Sequence, residues 1–201
     1  LLDDAEKQMG DTAPIRLARA QSLVRRDGAE ALPEVKRIAE LPNEFSSEDQ
    51  GRLWHGLTLL ARQAGDRALA LEFCQKAAAA QPNDLSTRYL LFDLALATRN
   101  KAALEQVMEE VRQIEDEGCY WHFMQGVALA ANSPRDDRKA QEKALDFLAK
   151  AALLRPNWAE VPMMQGKIRD QLGDHEAAIE KYLEAVDQGS RDPLGMTRPA
   201  G

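Results

Sequence analysis

Leu104, Val107, Met108, Val111 and Ile114 recur every three or four residues along "KAALEQVMEEVRQIE". That spacing gathers them on one side of an α-helix and leaves lysine, glutamate, glutamine and arginine on the other. Two more stretches, "GDRALALEFCQKAAAAQPND" from Gly65 and "GDHEAAIEKYLEAVDQG" from Gly173, each open on Gly-Asp and then run as a helix. Glycine suits a left-handed helix terminus because it has no Cβ to clash, so Gly65 and Gly173 predict tight turns between helices. Pro82 and Pro156 predict helix ends, with Asn83 and Asn157 placed to cap the helix that follows. "SEDQ" from Ser47 and "NWAE" from Asn157 both have capping-box spacing.

These landmarks are periodic. Gly65 and Gly173 stand 108 residues apart, two steps of 34 and one of 40. Pro82 and Pro156 are separated by 74, one step of each. Ala70, Ala144 and Ala178 keep the spacings 74 and 34, and so do Ala77, Ala151 and Ala185. Met-Gln-Gly occurs at Gly126 and again 40 residues on at Gly166. The six extra residues therefore fall between Gly126 and Ala144, where "NSPRDDRKAQE" supplies a Ser-Pro and a charge cluster fit for a lengthened turn. The parse is 51–84, 85–118, 119–158 with the six-residue insertion, and 159–190. In 85–118 the small positions become Phe92 and Leu104, and the turn becomes Arg99-Asn100, where Asn tolerates a left-handed conformation.

Self-similarity at 34 residues resembles the tetratricopeptide repeat family, a helix–turn–helix array. Trp54, Leu57, Gly65-Asp66, Ala70, Ala77 and Pro82 carry the resemblance in the first repeat; Gly166, Gly173-Asp174, Ala178, Tyr182 and Ala185 carry it in the last. It implies an all-α fold, an α-solenoid of stacked antiparallel helix pairs wound as a right-handed superhelix. Residues 1–50 read as degenerate helical repeats. "APIRLARAQSLVRRDG" from Ala13 stops at Asp27-Gly28, and a shorter helix has Pro33 in its first turn and ends at Pro42. Residues 191–201, with two prolines and two glycines in "SRDPLGMTRPAG", predict a flexible tail. After the last repeat no polar capping helix is legible, which leaves Ile179, Leu183 and Val186 short of cover.

Composition agrees with helix and narrows function. Ala, Leu, Glu, Gln, Lys and Arg dominate, and aromatics are 5%. A net charge of −7 offers no cationic surplus for nucleic acid or anionic membranes. No apolar run is long enough to insert in a membrane. The chain opens Leu1-Leu2-Asp3 without an initiator methionine and is expected to be part of a longer protein, cytoplasmic by default. Cys74 and Cys119 lie far apart and read as free thiols. His55, His122 and His175 accompany no nucleophile or third group, and no phosphate loop or metal motif is present, so no catalytic role, metal or cofactor is expected.

The resemblance implies that the first helix of each pair lines a concave wall holding a peptide or helix of a partner protein. The matching positions are Arg52, His55, Leu59 and Arg62, then Tyr89 and Asp93, then Tyr120 and Phe123, then Met163 and Lys167. The Lys/Asn/Arg clamp of chaperone-tail binders is not matched: His55, Leu59, Tyr89, Asp93 and Phe123 occupy those places. The reading is an interaction module or scaffold; the alternative is a regulatory or structural segment of a larger enzyme or envelope-assembly protein, self-associating or contacting its own chain. Trp54, Trp121 and Trp158 read as packing residues.

Overall fold

A computed structural model describes residues 7, 10–40 and 45–189. The described residues are helical and contain no strand. Helices α1 (Ala13–Asp27) and α2 (Leu32–Ile38) flank a short 3-10 turn, Gly28–Ala31. After them come α3 (Ser47–Gln63), α4 (Arg67–Ala80), α5 (Leu85–Ala97), α6 (Lys101–Glu115), α7 (Cys119–Asn132), α8 (Arg138–Leu154), α9 (Glu160–Gln171) and α10 (His175–Asp187). Neighbouring helices pack in antiparallel pairs, foremost α3 with α4, α7 with α8 and α9 with α10. The helix end expected at Pro42, the tail expected over 191–201 and most of 1–9 lie outside the described residues.

The chain divides into two compact units between Ala103 and Leu104. That boundary falls inside 85–118, where Phe92 and Leu104 stand at positions that are small elsewhere. In the first unit α1 and α4 both pack on α3, and α5 packs on α4. Its core joins Ala20 and Val24 of α1, Val35 of α2, Leu53 and Leu57 of α3, Phe73 of α4 and Phe92 of α5. In the second unit α9 packs on both α8 and α10, over a core of Met124, Leu148, Val161 and Ile168. Ala144, Ala151, Ala178 and Ala185 are all buried, as residues must be where two helices cross closely.

Local chemistry sets the helix limits. Gly65 and Gly173 take φ of +86° and +79°, closing the turns ahead of α4 and α10. Asp66, Asp84, Asp137 and Asp174 each accept a backbone N–H in the first turn of α4, α5, α8 and α10. Four sequence expectations are corrected. Arg99, not Asn100, takes the positive φ of 52°, while Asn100 caps α6 by accepting from the Ala103 N–H at 3.1 Å. The α3 cap is Ser46, one residue earlier than the spacing suggests, and it exchanges hydrogen bonds with Asp49. Asp84 rather than Asn83 caps α5, and α9 has no side-chain cap, so Asn157 does not serve it.

Candidate partner-binding surface

In the first unit, α3 and α5 are tied by two polar contacts. Near the middle of α3, Nδ1 of His55 lies 3.2 Å from Oγ1 of Thr87. The Thr87 hydroxyl donates to the Asp84 carboxylate at 2.5 Å, which leaves His55 as the donor to Thr87. Asp84 also accepts the Ser86 and Thr87 N–H groups, so this chain of bonds fastens α3 to the capped start of α5. The second contact is made by Arg62, whose Nη1 lies 2.7 Å from Asp93 Oδ2. A cleft of about 590 Å³ opens there, lined by Arg62, Gly65, Arg67, Asp93, Leu94 and Ala97. Leu59, one turn before Arg62, is 47% exposed. Arg52, toward the opposite end of α3, is exposed and paired with Glu48 of its own helix. Tyr89 is half-buried on α5.

In the second unit the predicted residues behave differently. Phe123 is only 3% exposed, with its ring centroid 4.6 Å from that of Trp158. It is a packing residue, and the surface role expected for it is corrected. Tyr120 stacks on the same tryptophan at 4.8 Å and keeps part of its surface in solvent. Arg155, just past the end of α8, lies 4.9 Å from the Trp158 ring and donates to the Tyr120 hydroxyl at 2.9 Å. Met163 and Lys167 are half-exposed on α9. The predicted positions divide between the two units. Arg62 and Asp93 meet directly, with His55 and Tyr89 on the same two helices; Tyr120, Met163 and Lys167 belong to the other unit.

Sequence reasoning misses Arg67, Leu94 and Ala97 at the cleft, and Arg155 over the aromatic pair. Arg67 follows Gly-Asp and so reads as an ordinary first-turn residue. Arg155 precedes Pro156 in a turn, where no periodicity marks it. Among the described residues no group of three or more His, Cys, Asp or Glu could hold a metal ion. Burial pushes the Cys74 thiol up to about 12. Burial also raises Cys119, with the nearby Glu115 acting in the same direction. Both shifts disfavour the thiolate form. No helix among the described residues is long and apolar enough to cross a membrane.

No family model matches the sequence, and no curated protein matches it. Solved structures do. The crystal structure of TTC0263, a thermophilic TPR protein of Thermus thermophilus, superposes with a TM-score of 0.61 at 18% identity, covering 90% of this chain and 93% of that one. MamA, residue 41 to the end, from Desulfovibrio magneticus RS-1 gives 0.52 at 21% identity, covering 90% and 96%. The chain has the tetratricopeptide-repeat fold. The consecutive antiparallel pairs α3–α4, α7–α8 and α9–α10 are the part of that fold seen most plainly here.

Proposed function

We infer that this chain is a protein-interaction scaffold that holds a peptide or helix of a partner protein against its first helices. The observation that carries the reading is the α3–α5 face: exposed Leu59, the Arg62–Asp93 pair and the cleft that also takes in Arg67, Leu94 and Ala97. An aliphatic side chain beside guanidinium groups and a carboxylate offers both apolar area and directional hydrogen bonds, the mixture that peptide recognition uses. The Arg62–Asp93 pair is half in solvent, so it contributes little to stability and is free to exchange partners. Catalysis is not part of the reading: burial raises both cysteine thiols, and Nδ1 of the buried His122 has no hydrogen-bond partner among the described residues.

Affinity capture with two point variants tests this. Leu59→Glu alters the α3–α5 face, while Leu153→Glu alters a leucine 81% exposed on a second helix. Partners that bind wild type should be lost with Leu59→Glu and retained with Leu153→Glu. Recovery of the same partners with Leu59→Glu would remove the α3–α5 face from the reading.

A further inference from the structure

The second helices of this chain do not end alike. In the first unit α5 covers one side of α4: the Cys74 thiol donates to the Thr87 carbonyl at 3.6 Å, and Ala78 is buried there. In the second unit α9 packs on α8, where Leu148 is buried and Leu145 and Ala152 are half-buried. Thirty-four residues further on, α10 presents Ile179 in the place of Leu145 and Val186 in the place of Ala152. The register is fixed by Ala144 and Ala178, and by Ala151 and Ala185, all buried. On α10, however, Ile179 is 58% exposed, Leu183 60% and Val186 39%. Spaced by four and three residues, they make one apolar stripe along the helix.

Beside that stripe runs a row of acids. Glu176, Glu180 and Asp187 are spaced by four and seven residues, so they share the adjoining side of α10. All three are exposed, and none has a hydrogen-bond or ion-pair partner among the described residues. A second copy laid antiparallel on α10 about a perpendicular twofold would set this acidic row against itself, which like-charge repulsion disfavours. The places of Ile179 and Val186 are buried or half-buried on α4 and α8, each of which has a helix packed on it, while the place of Leu183 is exposed on both, so a helix set slightly towards Leu183 is the shape that fits. We propose that α10 docks an amphipathic helix of a partner protein, with apolar residues on Ile179, Leu183 and Val186 and a row of lysine or arginine facing Glu176, Glu180 and Asp187.

Two synthetic helical peptides that share one leucine stripe, flanked by lysines in one and by glutamates in the other, test the proposal by fluorescence anisotropy against the full chain. The lysine peptide should bind about tenfold more tightly or better, from rim ion pairs alone. Leu183→Glu should abolish binding. Changing Glu176, Glu180 and Asp187 together to Lys should reverse the preference. If Leu183→Glu loses helical circular dichroism, the charge-reversed variant decides on its own. Binding of neither peptide, equal binding of both, or binding unchanged by charge reversal overturns the proposal. So does a wild-type dimer in sedimentation that Leu183→Glu converts to monomer, since a second copy would then own the stripe. Leu59→Glu should leave the binding of both peptides unchanged, which separates these outcomes from those at the α3–α5 face.

Discussion

Gly126 of α7 faces the backbone carbonyl of Ala144 in α8, and a methyl group on Gly126 would sit 2.9 Å from that oxygen. It would also come within 2.9 Å of the Leu148 side chain. A carbonyl inside a helix cannot retreat without moving the helix, so the pair is held at contact by the absence of one carbon. Gly126→Ala should therefore destabilise the second unit by about 1–3 kcal/mol, the usual cost of overpacking a filled core. At Gly166 an added methyl would instead meet the Tyr182 ring, at 2.6 Å. That ring is half-buried and can rotate, so Gly166→Ala should cost less. Thermal unfolding followed by circular dichroism ranks the two; an equal or reversed order would show that side-chain relaxation, not the α7–α8 backbone approach, sets the cost.

Trp54 is nearly buried in the first unit, with its ring centroid 5.6 Å from Phe73 and the Lys76 ammonium 4.7 Å above it. Trp54→Ala should cost about 3–5 kcal/mol. Phe123→Ala should cost the second unit a similar amount, because Phe123 packs on Trp158 rather than facing a partner. Denaturant unfolding checks both. A Phe123→Ala protein with wild-type stability and lost partner binding would return Phe123 to the surface.

Phe123 also marks where the sequence stops being legible. Period and small residues specify the helix pairs, because Gly126, Ala144 and Ala178 act through their own volume and need no neighbour to be recognised. The helix ends are legible where glycine alone decides, as at Gly65 and Gly173. They are obscured where side chains compete to cap, since Ser46 and Asp84 each lie one residue from the position that spacing indicates. The residues expected to face a partner are the least legible. First-helix position says which side a residue faces, but Phe123 and Tyr120, three residues apart, differ in exposure because Trp158 covers one more fully than the other. That cover comes from the turn between α8 and α9, and no local pattern on α7 announces it.

His122 is buried among rings, with Trp121 at 5.1 Å and Phe147 at 6.1 Å, and its Nδ1 has no hydrogen-bond partner among the described residues. Burial depresses its proton affinity, and the positive charge of Lys150 adds to the effect, against a smaller opposing influence from Glu117. The unfolded chain therefore binds this proton more readily than the folded one. The stability that neutral His122 contributes is present above its ordinary value of 6.5 and is lost as pH falls below it. Denaturation midpoints should drop between about pH 7.5 and 5.5 by more in wild type than in His122→Leu. The same drop in both proteins would place the acid sensitivity elsewhere.

Cys74 is fully buried, donates to the Thr87 carbonyl and has its thiol pushed up to about 12, so almost none of it is thiolate at neutral pH. Cys119 is half-exposed at the start of α7, and its thiol is raised by burial and by Glu115. A disulfide reagent should modify Cys119 slowly in the native chain and reach Cys74 only on unfolding. Rapid native modification in a Cys119→Ser variant would show that α4 and α5 separate readily.

The start of α7 carries a borrowed cap. Gly118 occupies the N-cap position with no side chain to offer, and Glu115, from the end of α6, accepts the Trp121 N–H at 2.7 Å. Burial raises the Glu115 carboxyl, while backbone N–H groups of Trp121 and Tyr120 hold it down. The two positions exclude each other, because a Cβ on Gly118 would lie 2.4 Å from the Glu115 carboxyl carbon. Gly118 has φ of −79° and ψ of −170°, extended backbone that serine adopts without strain. Removing the cap by Glu115→Ala should cost about 1 kcal/mol. Gly118→Ser should also destabilise, since it evicts the existing cap before supplying its own. Combined, the two substitutions should recover stability toward wild type, as the introduced hydroxyl takes over the capping that Glu115 has vacated. Additive losses in that double-mutant cycle would mean that the Glu115 carboxylate is not what holds the first turn of α7.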